Sequence, residues 1–425
     1  MTWRPAPLKR FLQLNDSGAW GDDPEPGQST TRVVRSTDIR LDGSWDLADV
    51  ARRHLSDRDL RRTRLEPGDL VVVTSSGSAD HLGKTAIVDE VVAEQDASFS
   101  NFVQRLRPSA DADGRYLRYF LSSNVASFEF GRLGTTSTGL RNLSGGLLGS
   151  VACPGPPVDE QRRIADFLDT EAAGIDALIT AKQQMADGLI ASRMDTMRAG
   201  VAGEVVSGDR SKASLAWLPE LPTHWGMAKL TLLARLGSGH TPSRSRPEWW
   251  MNPTIPWITT GEVAQMRSDR IELILETREM ISELGMANSS AELHPAGTVV
   301  LCRTASAGYS AIMGGPMAVS QDFATWTCGP HLDPRFLLLC LRAMRRDLLE
   351  RLAMGSTHKT IYMPDIESIR VPVPPMDEQH RLVEWVWSRL RRIDAIVDTL
   401  TAQIALLRER RQALITAAVT GEIEV

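Results

Sequence analysis

The stretch "PPVDEQRRIADFLD" at residues 156–169 returns as "PPMDEQHRLVEWVW" at residues 374–387. Pro157 matches Pro375, and this offset of 218 positions holds without a gap for almost fifty residues. It also pairs "IDA" at 175–177 with "IDA" at 393–395. A repeat of this length at one spacing indicates an internal duplication. The chain is therefore predicted to contain two copies of one structural plan.

Each copy of the repeat predicts a long helix. The prolines and the Asp-Glu pair are typical of a helix start, because prolines are tolerated there and acids stabilise its positive end. Apolar residues then recur at alternating steps of three and four, which indicates a coiled-coil seam. The seam residues are Leu168, Ile175, Ile179 and Leu189 in the first copy, and Leu390, Ile393, Val397, Leu400, Ile404 and Leu407 in the second. We expect the two helices to form an antiparallel coiled coil.

Arginine interrupts the seam at matching places in the two copies. Arg411 stands where the pattern needs an apolar residue, and its repeat partner is Arg193. Lys182 also interrupts the first copy. The arginines either extend to solvent from a frayed helix end, or they are polar residues that fix the register or contact a partner.

The segments upstream of the helices are more distant copies of each other. The stretch "VVRSTDI" at 33–39 stands in the place of "WITTGEV" at 257–263, and "TGLRNLS" at 138–144 in that of "THKTIYM" at 357–363. Short β-branched runs between Gly and Pro turns alternate with helical stretches, which predicts mixed α/β domains. The predicted order is a globular domain at 1–153, a helix at 154–205, a linker at 206–216, a second globular domain at 217–371 and a second helix at 372–425. This order is a pseudo-twofold internal repeat.

Composition limits the class of protein. The chain has 425 residues, 42% of them hydrophobic, which suffices for two or three domains. It contains no apolar run long enough for a bilayer and no signal-peptide core, so we expect a cytoplasmic location. The four cysteines are isolated and predict neither disulfides nor a zinc site. The net charge of −5 argues against a uniformly basic nucleic-acid binder but not against a local basic patch.

Motifs that could carry catalysis are incomplete. The "GSGH" at 237–240 lacks the Lys-Ser/Thr ending of a phosphate loop. The "NPTI" at 252–255 lacks the aromatic residue of an amino-methyltransferase motif, and no donor-binding glycine loop precedes it. The "PDIES" at 364–368 has two carboxylates but no lysine at nuclease spacing. We therefore predict no catalytic residue and no metal site in this chain.

Two related but divergent domains on an antiparallel helical spacer suggest a reader of DNA half-sites. Duplex DNA is nearly twofold, and a rigid spacer fixes the distance between the points that two domains touch. Because the two domains differ, the half-sites should differ.

Over essentially its full length, the chain resembles the specificity subunit of type I restriction-modification enzymes. The marks are the twin helix starts, the stretch "GSGHTPSRSRPEWWMNPTIPWITTGEV" from Gly237, and the paired "TGLRN" and "THKTI" loops. The first domain lacks the "TPSR" and "IPWI" signature of the second. The resemblance implies two target-recognition domains that each bind one half of a split, asymmetric DNA sequence, and helices that set the spacer and dock two modification subunits.

The resemblance also implies a subunit that performs no chemistry itself. S-adenosylmethionine and adenine methylation would belong to the modification partner. Cleavage and ATP- and Mg-dependent translocation would belong to restriction subunits. Two alternatives remain: a recognition scaffold of another defence complex with a non-methylating partner, and a stand-alone adenine methyltransferase or nuclease that would be active as the purified chain.

Direct readout of DNA needs polar and basic side chains on loops that reach base edges. In the first domain the candidates are Arg35, Ser36, Thr37, Ser75, Ser76, Lys84, Thr136 and Arg141. In the second they are Thr241, Ser243, Arg244, Arg246, Thr259, Thr260, Arg303, Thr304, His358 and Lys359. Nearby Trp249, Trp250 and Trp257 are expected in the core rather than stacked on bases.

A basic run, "ARRHLSDRDLRRTR" at 51–64, has two interpretations. It is either a phosphate-binding face or a solvated helix whose Asp57 and Asp59 partly neutralise it.

Overall fold

The computed structural model describes residues 3–78, 81–137, 140–215, 217–353 and 359–425. It divides the chain into two compact units. Unit 1 comprises Met1–Gln183 and Ala402–Val425, and unit 2 comprises Gln184–Thr401. The division falls within both long helices, so each unit holds one globular domain and parts of both helices. The bounds of the five segments predicted from the sequence stay predictions.

The first part of unit 1 begins with short strands and ends in the first long helix. Its strands are β1 (Pro5–Pro7), β2 (Leu12–Ser17), β3 (Thr31–Val34), β4 (Ala51–Arg53), β5 (Leu70–Val73), β6 (Ser75–Ser76), β7 (Thr85–Ile87), β8 (Ser98–Phe99), β9 (Val103–Pro108), β10 (Thr135–Ser137), β11 (Leu140–Asn142) and β12 (Ala152–Pro154). Its helices are α1 (Asp57–Thr63), α2 (Glu90–Ala93), α3 (Gly114–Leu121), α4 (Asn124–Leu133), α5 (Gly145–Ser150) and α6 (Val158–Val201), which continues into unit 2.

The core of unit 1 is a four-stranded antiparallel sheet in the order β2-β9-β5-β7. All four residues of strand β5 are buried. Because successive side chains in a strand point to opposite sides, β5 is buried on both faces. Leu70 and Val72 pack with α3 and α6, whereas Val71 and Val73 pack with β3 and β8. A second sheet, β4-β3-β8, covers that face, and its β3 and β8 run parallel.

Unit 2 repeats this plan. Its strands are β13 (Arg210–Leu215), β14 (Leu218–Pro222), β15 (Gly226–Lys229), β16 (Ala234–Ser238), β17 (Ile255–Ile258), β18 (Leu273–Ile274), β19 (Glu279–Ile281), β20 (Val299–Cys302), β21 (Ser310–Met313), β22 (Ala318–Val319), β23 (Phe323–Cys328) and β24 (Arg370–Val373). Its helices are α7 (Val263–Met266), α8 (Glu283–Ala287), α9 (Pro334–Ala343), α10 (Arg345–Asp347), α11 (Met363–Glu367) and α12 (Met376–Thr420), whose last part belongs to unit 1.

The two main sheets of unit 2 correspond to those of unit 1. The order β16-β23-β20-β21 matches β2-β9-β5-β7, with β18 added at the edge. The order β19-β17-β22 matches β4-β3-β8, again with a parallel pair, β17 and β22. Strand β20 is also buried on both faces. The predicted fold class, two copies of a mixed α/β domain with long helices, is confirmed.

A buried glutamine joins each long helix to its own domain. In unit 1, Gln161 Oε1 accepts from the Asp113 N–H at 2.9 Å, and Gln161 Nε2 donates to the carbonyls of Pro156 and Asp111 at 2.9 and 3.3 Å. In unit 2, Gln379 makes the same contacts with Asp333, Pro374 and His331 at 2.9, 2.9 and 3.0 Å. Each glutamine therefore fixes the angle at which its helix leaves the domain.

The helices run antiparallel within each unit. In unit 1, Arg411 of α12 pairs with Asp176 of α6 at 2.8 Å, and Lys182 donates to Gln403 at 2.7 Å. In unit 2, Arg193 of α6 pairs with Asp394 of α12. Asp176 and Asp394 are the aspartates of the two "IDA" stretches. The seam arginines thus form matching interhelical ion pairs, as the register interpretation expects and the solvent interpretation does not.

The predicted seam residues all lie away from solvent. Leu168, Ile175, Leu390, Val397, Leu400 and Ile404 are buried, and Ile179, Leu189, Ile393 and Leu407 are partly buried. Among the described residues, no helix is long and apolar enough to cross a membrane.

Candidate nucleic-acid interface

Three backbone segments meet at one edge of the unit 1 sheet: the end of β5, the turn between β8 and β9, and the segment after β11. The Thr74 N–H donates to the Phe102 carbonyl of the turn at 3.1 Å. The Thr74 carbonyl accepts from the Leu143 N–H at 2.8 Å. One residue at the end of a buried strand therefore holds both loops in place.

Unit 2 uses the same arrangement with different side chains. The Arg303 N–H donates to the Asp322 carbonyl at 2.8 Å, and the Arg303 carbonyl accepts from the Ile361 N–H at 2.8 Å. Arg303 thus corresponds to Thr74, and Ile361 to Leu143. The paired loops quoted from the sequence are in error by one residue, since that pairing set Leu143 against Tyr362. With this correction, Arg141 and Lys359 occupy equivalent positions.

A glycine admits a fourth segment to the edge in each unit. A Cβ atom on Gly18 would lie 2.0 Å from the Phe99 carbonyl oxygen, and one on Gly239 would lie 1.8 Å from that of Val319. No side chain fits at such distances, so the "SG" that ends β2 and β16 permits this close approach. The loops after these glycines consequently begin beside the turn.

In unit 2, the turn residue Gln321 joins two of the predicted site residues. Thr241 Oγ1 donates to Gln321 Oε1 at 2.6 Å, and Arg303 Nε donates to the Gln321 carbonyl at 3.0 Å. Thr304 Oγ1 donates to Asp322 Oδ1 at 2.6 Å. The structure therefore brings Thr241, Arg303 and Thr304 together around one turn.

The remaining unit 2 candidates flank this turn. Thr259 directly follows Ile258, whose carbonyl accepts from the Ser320 N–H at 2.9 Å, and exposed Thr260 continues that segment. Lys359 is exposed and donates to the Leu349 carbonyl at 3.3 Å. His358 lies outside the residues that the structure describes.

Arg244 is held by an aromatic and acidic pocket. Its guanidinium lies 3.9 Å from the Trp250 ring centroid and pairs with Glu279 at 2.5 Å. Trp257 lies in the core as expected, with 2% of its surface exposed. Trp249 and Trp250 are only partly buried. Much of the charge of Arg244 is therefore balanced within unit 2.

Ser243 and Arg246 lie in the same exposed loop as Arg244. Ser243 Oγ shares a hydrogen bond with Ser245 Oγ at 2.8 Å. Arg246 lies 3.7 Å from Glu248, and its side chain is 63% exposed. Arg246 therefore keeps the freer charge of the two arginines.

In unit 1, Ser75, Ser76 and Arg141 come together at the sheet edge. Ser76 pairs with Arg141 in the ladder of β6 and β11, and Ser75 Oγ donates to Asn142 Oδ1. Thr136 lies opposite Arg141 in the hairpin of β10 and β11. These residues sit next to Thr74, the backbone junction of the site.

Arg35 and Lys84 instead bind their own domain. Arg35 contacts Asp38 through Nε and Nη2 at 3.2 and 3.0 Å, and it donates to the Asp49 carbonyl. Lys84 Nζ donates to the carbonyls of Ser36 and Ile39 at 2.9 and 2.6 Å. Burial lowers the pKa of the Lys84 ammonium, and the charge of Asp38 opposes this shift. Both cations hold the segment that contains Ser36 and Thr37, and of that segment Thr37 is exposed.

The basic run contributes to a groove of about 500 Å³ in unit 1. Arg52 comes from β4, Arg61 and Arg64 from α1 and its end, and Arg32 from β3. Arg61 forms no ion pair or hydrogen bond with the described residues, and Arg52 has only a 3.4 Å contact with Thr30. Arg64 and Asp96 form an ion pair, and both side chains are exposed. Arg32 donates a hydrogen bond to Gln95 Oε1. The groove therefore offers cations that solvent can reach.

Asn101 and Gln321 were not predicted from the sequence, although both lie in turns beside the backbone junctions at Thr74 and Arg303. Each follows a serine in the turn before a long buried strand. The only sequence signal is that serine, in "SFSNFV" at 98–103 and "AVSQDF" at 318–323. Across the described ranges, no group of three His, Cys, Asp or Glu residues could hold a metal ion.

Comparisons with known proteins show which proteins the chain is similar to. Residues 222–411 match the family model described as type I restriction modification DNA specificity domain. The putative type I restriction enzyme MjaX specificity subunit of Methanocaldococcus jannaschii is 21% identical over 432 residues, covering 100% of this chain and 94% of that protein. The resemblance to type I restriction-modification specificity subunits is confirmed.

Other specificity subunits match a smaller part. The MjaIX subunit of Methanocaldococcus jannaschii is 25% identical over 166 residues, or 38% of this chain and 37% of that protein. The EcoR124I/EcoR124II subunit of Escherichia coli is 25% identical over 179 residues, or 41% of this chain and 42% of that protein. The chain thus spans about two fifths of the length of these two relatives.

Solved structures support the fold of the specificity subunit. A chain from a study of complex assembly and conformational transition of the type I R-M system superposes with a TM-score of 0.71 at 16% identity, covering 99% of this chain and 98% of that chain. The HsdS subunit from Thermoanaerobacter tengcongensis gives a TM-score of 0.55 at 17% identity, with coverage of 99% and 97%. The matched domain is a DNA specificity domain, and the specificity subunits that the chain resembles are non-catalytic.

Proposed function

We propose that the chain is the DNA sequence-recognition subunit of a type I restriction-modification complex, and that each domain reads one half of a bipartite, asymmetric site. The observation that carries this proposal is the arrangement of loops at the sheet edge of each unit. The same backbone junction, at Thr74 and at Arg303, presents loops with different side chains in the two units. Equivalent scaffolds with unlike polar groups suit two unlike half-sites.

A matched pair of grooves supports the docking of two modification subunits, part of the same proposal. In unit 1 a groove of about 400 Å³ lies between Glu160 and Ile164 of α6 and the residues that follow α12, among them Ile423. In unit 2 a groove of about 420 Å³ lies between Glu378 and Leu382 of α12 and the residues that follow α6. The lining residues correspond through the sequence repeat. Two like grooves are suited to two copies of one partner.

The chemistry is assigned to the partners in this proposal. The modification subunits would hold S-adenosylmethionine and methylate adenine, and restriction subunits would use ATP and Mg. The long helices α6 and α12 would set the spacing between the half-sites. The proposal includes double-stranded DNA as the partner that the chain binds. It also includes a cytoplasmic location.

Adenine mapping tests the proposed function. The chain is co-expressed with its neighbouring methyltransferase candidate in a host without such systems, and modified adenines are mapped across the genome. We expect a split motif with two unlike halves and a fixed gap. Replacing residues 1–151 with the corresponding domain of another specificity subunit should change one half only.

A stable complex without methylation would contradict this function. It would favour the alternative of a recognition scaffold for another defence complex with a non-methylating partner. Methylation or cleavage by the purified chain alone would contradict the non-catalytic assignment.

A further inference from the structure

The turn between the parallel strand and the long sheet strand has the same backbone in both units. The Ser100 N–H donates to the Val34 carbonyl at 2.9 Å, and the Ser320 N–H donates to that of Ile258 at 2.9 Å. The two serine carbonyls accept from Val103 and Phe323, each at 3.2 Å. The residue after each serine therefore occupies the same place. It is Asn101 in unit 1 and Gln321 in unit 2, and both are exposed.

The backbone does not require a carboxamide at this place. Asparagine is frequent in turns because it tolerates a left-handed conformation or bonds its own backbone. The described non-glycine residues with positive φ are Asp96, Asn252, Asp269 and Ala305, so neither turn amide is among them. A role in shaping the turn thus does not account for Asn101 or Gln321.

The hydrogen-bonding groups of both amides remain available. Within the described ranges, the Asn101 side chain makes no hydrogen bond, and Gln321 makes one, accepting from Thr241 Oγ1 at 2.6 Å. An amide oxygen has two lone pairs and its nitrogen two donors. Gln321 therefore keeps one acceptor site and both donors, while Thr241 orients its oxygen.

The surroundings of the amides are those of a DNA contact. Arg303 lies against the Gln321 backbone, with Nε 3.0 Å from its carbonyl. In unit 1, the carbonyl of the next residue, Phe102, accepts from both Thr74 and Ser75, at 3.1 and 3.2 Å. Both amides therefore lie beside the backbone junctions that Thr74 and Arg303 form in their units.

A carboxamide recognises adenine in the major groove, because it accepts from N6 and donates to N7 at the same time. We propose that Asn101 and Gln321 are specificity-determining residues, each of which reads one adenine in its own half-site. This inference rests on the proposed function. Phe102 is 46% exposed beside Asn101, whereas its counterpart Asp322 is held by Thr304 at 2.6 Å, so the base pairs next to the two adenines should differ.

The test is selection from a random duplex DNA library by the full chain in complex with its modification subunits. Gln321→Ala should lower the preference for adenine at one base pair of one half-site about tenfold or more, the discrimination expected of a bidentate pair. Asn101→Ala should do the same in the other half only. Gln321→Glu should shift the preference from adenine to cytosine, because a carboxylate accepts from cytosine N4. Gln13→Ala, an exposed amide on β2, is the matched control and should change no position.

The outcomes separate this inference from the proposed function. If the unaltered complex selects no split sequence, the proposed function fails. If it selects one but the two alanine variants keep their adenine preferences, only the role of the amides is overturned. Loss of selection in both halves from a single substitution would show that the turn maintains the fold, which also overturns the role.

Discussion

At the scale of single residues, Gln161 and Gln379 show how a repeated motif maintains two domains. Both side chains are almost completely buried, at 1% and 0% exposure, with their oxygen and nitrogen both hydrogen-bonded. Their partners in the domains, Asp111, Asp113, His331 and Asp333, lie about 48 residues upstream, so the sequence pattern identifies the helix start but not this contact. Of the acids beside them, Glu378 also accepts a hydrogen bond from the Trp225 indole N–H at 2.8 Å and lies 3.0 Å from His224 Nε2.

Gln161→Met should loosen the contact between α6 and the domain of unit 1. Three hydrogen bonds are lost, and the Asp113 N–H is left buried without an acceptor, so we expect the free energy of unfolding to fall by about 3 kcal/mol. Urea unfolding measures this change, and hydrogen exchange should accelerate for the peptide at 111–116. Gln379→Met is the matched control, since it should accelerate the peptide at 331–336 instead. Unchanged exchange in both peptides would contradict the anchoring role.

Residue type alone did not separate the cations that hold the fold from those free to bind DNA. The sequence places Arg35, Lys84, Arg141 and Lys359 equally well on loops. In the structure, Asp38 and backbone carbonyls bind Arg35 and Lys84. Arg141 and Lys359 instead lie at equivalent places on the candidate interface. The difference depends on acceptors that folding brings near, which a linear pattern does not show.

At the scale of elements, periodicity predicted the helices well because helical geometry is local. The seam followed from alternating steps of three and four, and the two arginines that break it proved to be paired. Arg193 is more enclosed, with 9% of its side chain exposed against 17% for Arg411, and its partner Asp394 is 18% exposed against 44% for Asp176. Arg193 also donates to the Asp269 carbonyl at 3.1 Å. The pair in unit 2 should therefore couple more strongly.

Double-mutant cycles measure these two interhelical pairs. For Arg193→Met and Asp394→Leu, we expect a coupling energy of about 2 kcal/mol, because both charges are mostly removed from water. For Arg411→Met and Asp176→Leu, we expect about 1 kcal/mol or less, because solvent screens the exposed aspartate. The exposed pair of Arg346 and Glu350 is the control and should couple least. Equal coupling of all three pairs would contradict a role in fixing the register.

At the scale of the whole molecule, the sequence repeat predicted the duplication of the fold but not the equivalence of the interface residues. The helices keep one constant offset, whereas insertions change the spacing from strand to strand. Val34 corresponds to Ile258, Thr74 to Arg303 and Ser100 to Ser320. The sequence already matches Val34 with Ile258, but only strand pairing aligns the other two pairs, so Asn101 and Gln321 could not be matched from the sequence.

Net charge also describes the molecule poorly where DNA binding is concerned. The chain carries −5 overall, but phosphate contacts depend on cations that are close together and unpaired. In the groove of unit 1, Arg52 and Arg61 meet that condition. Arg62 does not, since it donates to the Ser17 carbonyl at 2.5 Å and pairs with Asp59 at 3.3 Å. The phosphate interpretation of the basic run thus applies to particular residues rather than to the whole run.

Arg52→Ala and Arg61→Ala should weaken binding to specific and random duplexes alike. If each arginine neutralises one phosphate, each substitution lowers the slope of log affinity against log salt concentration by about 0.9, because fewer counterions are released. Titrations of the full chain in complex with its modification subunits at several salt concentrations measure that slope. Arg346→Ala, which removes an exposed but ion-paired arginine of unit 2, is the control and should leave the slope unchanged. An unchanged slope for both groove variants would instead favour the solvated-helix interpretation, and a loss confined to one sequence would indicate base contacts.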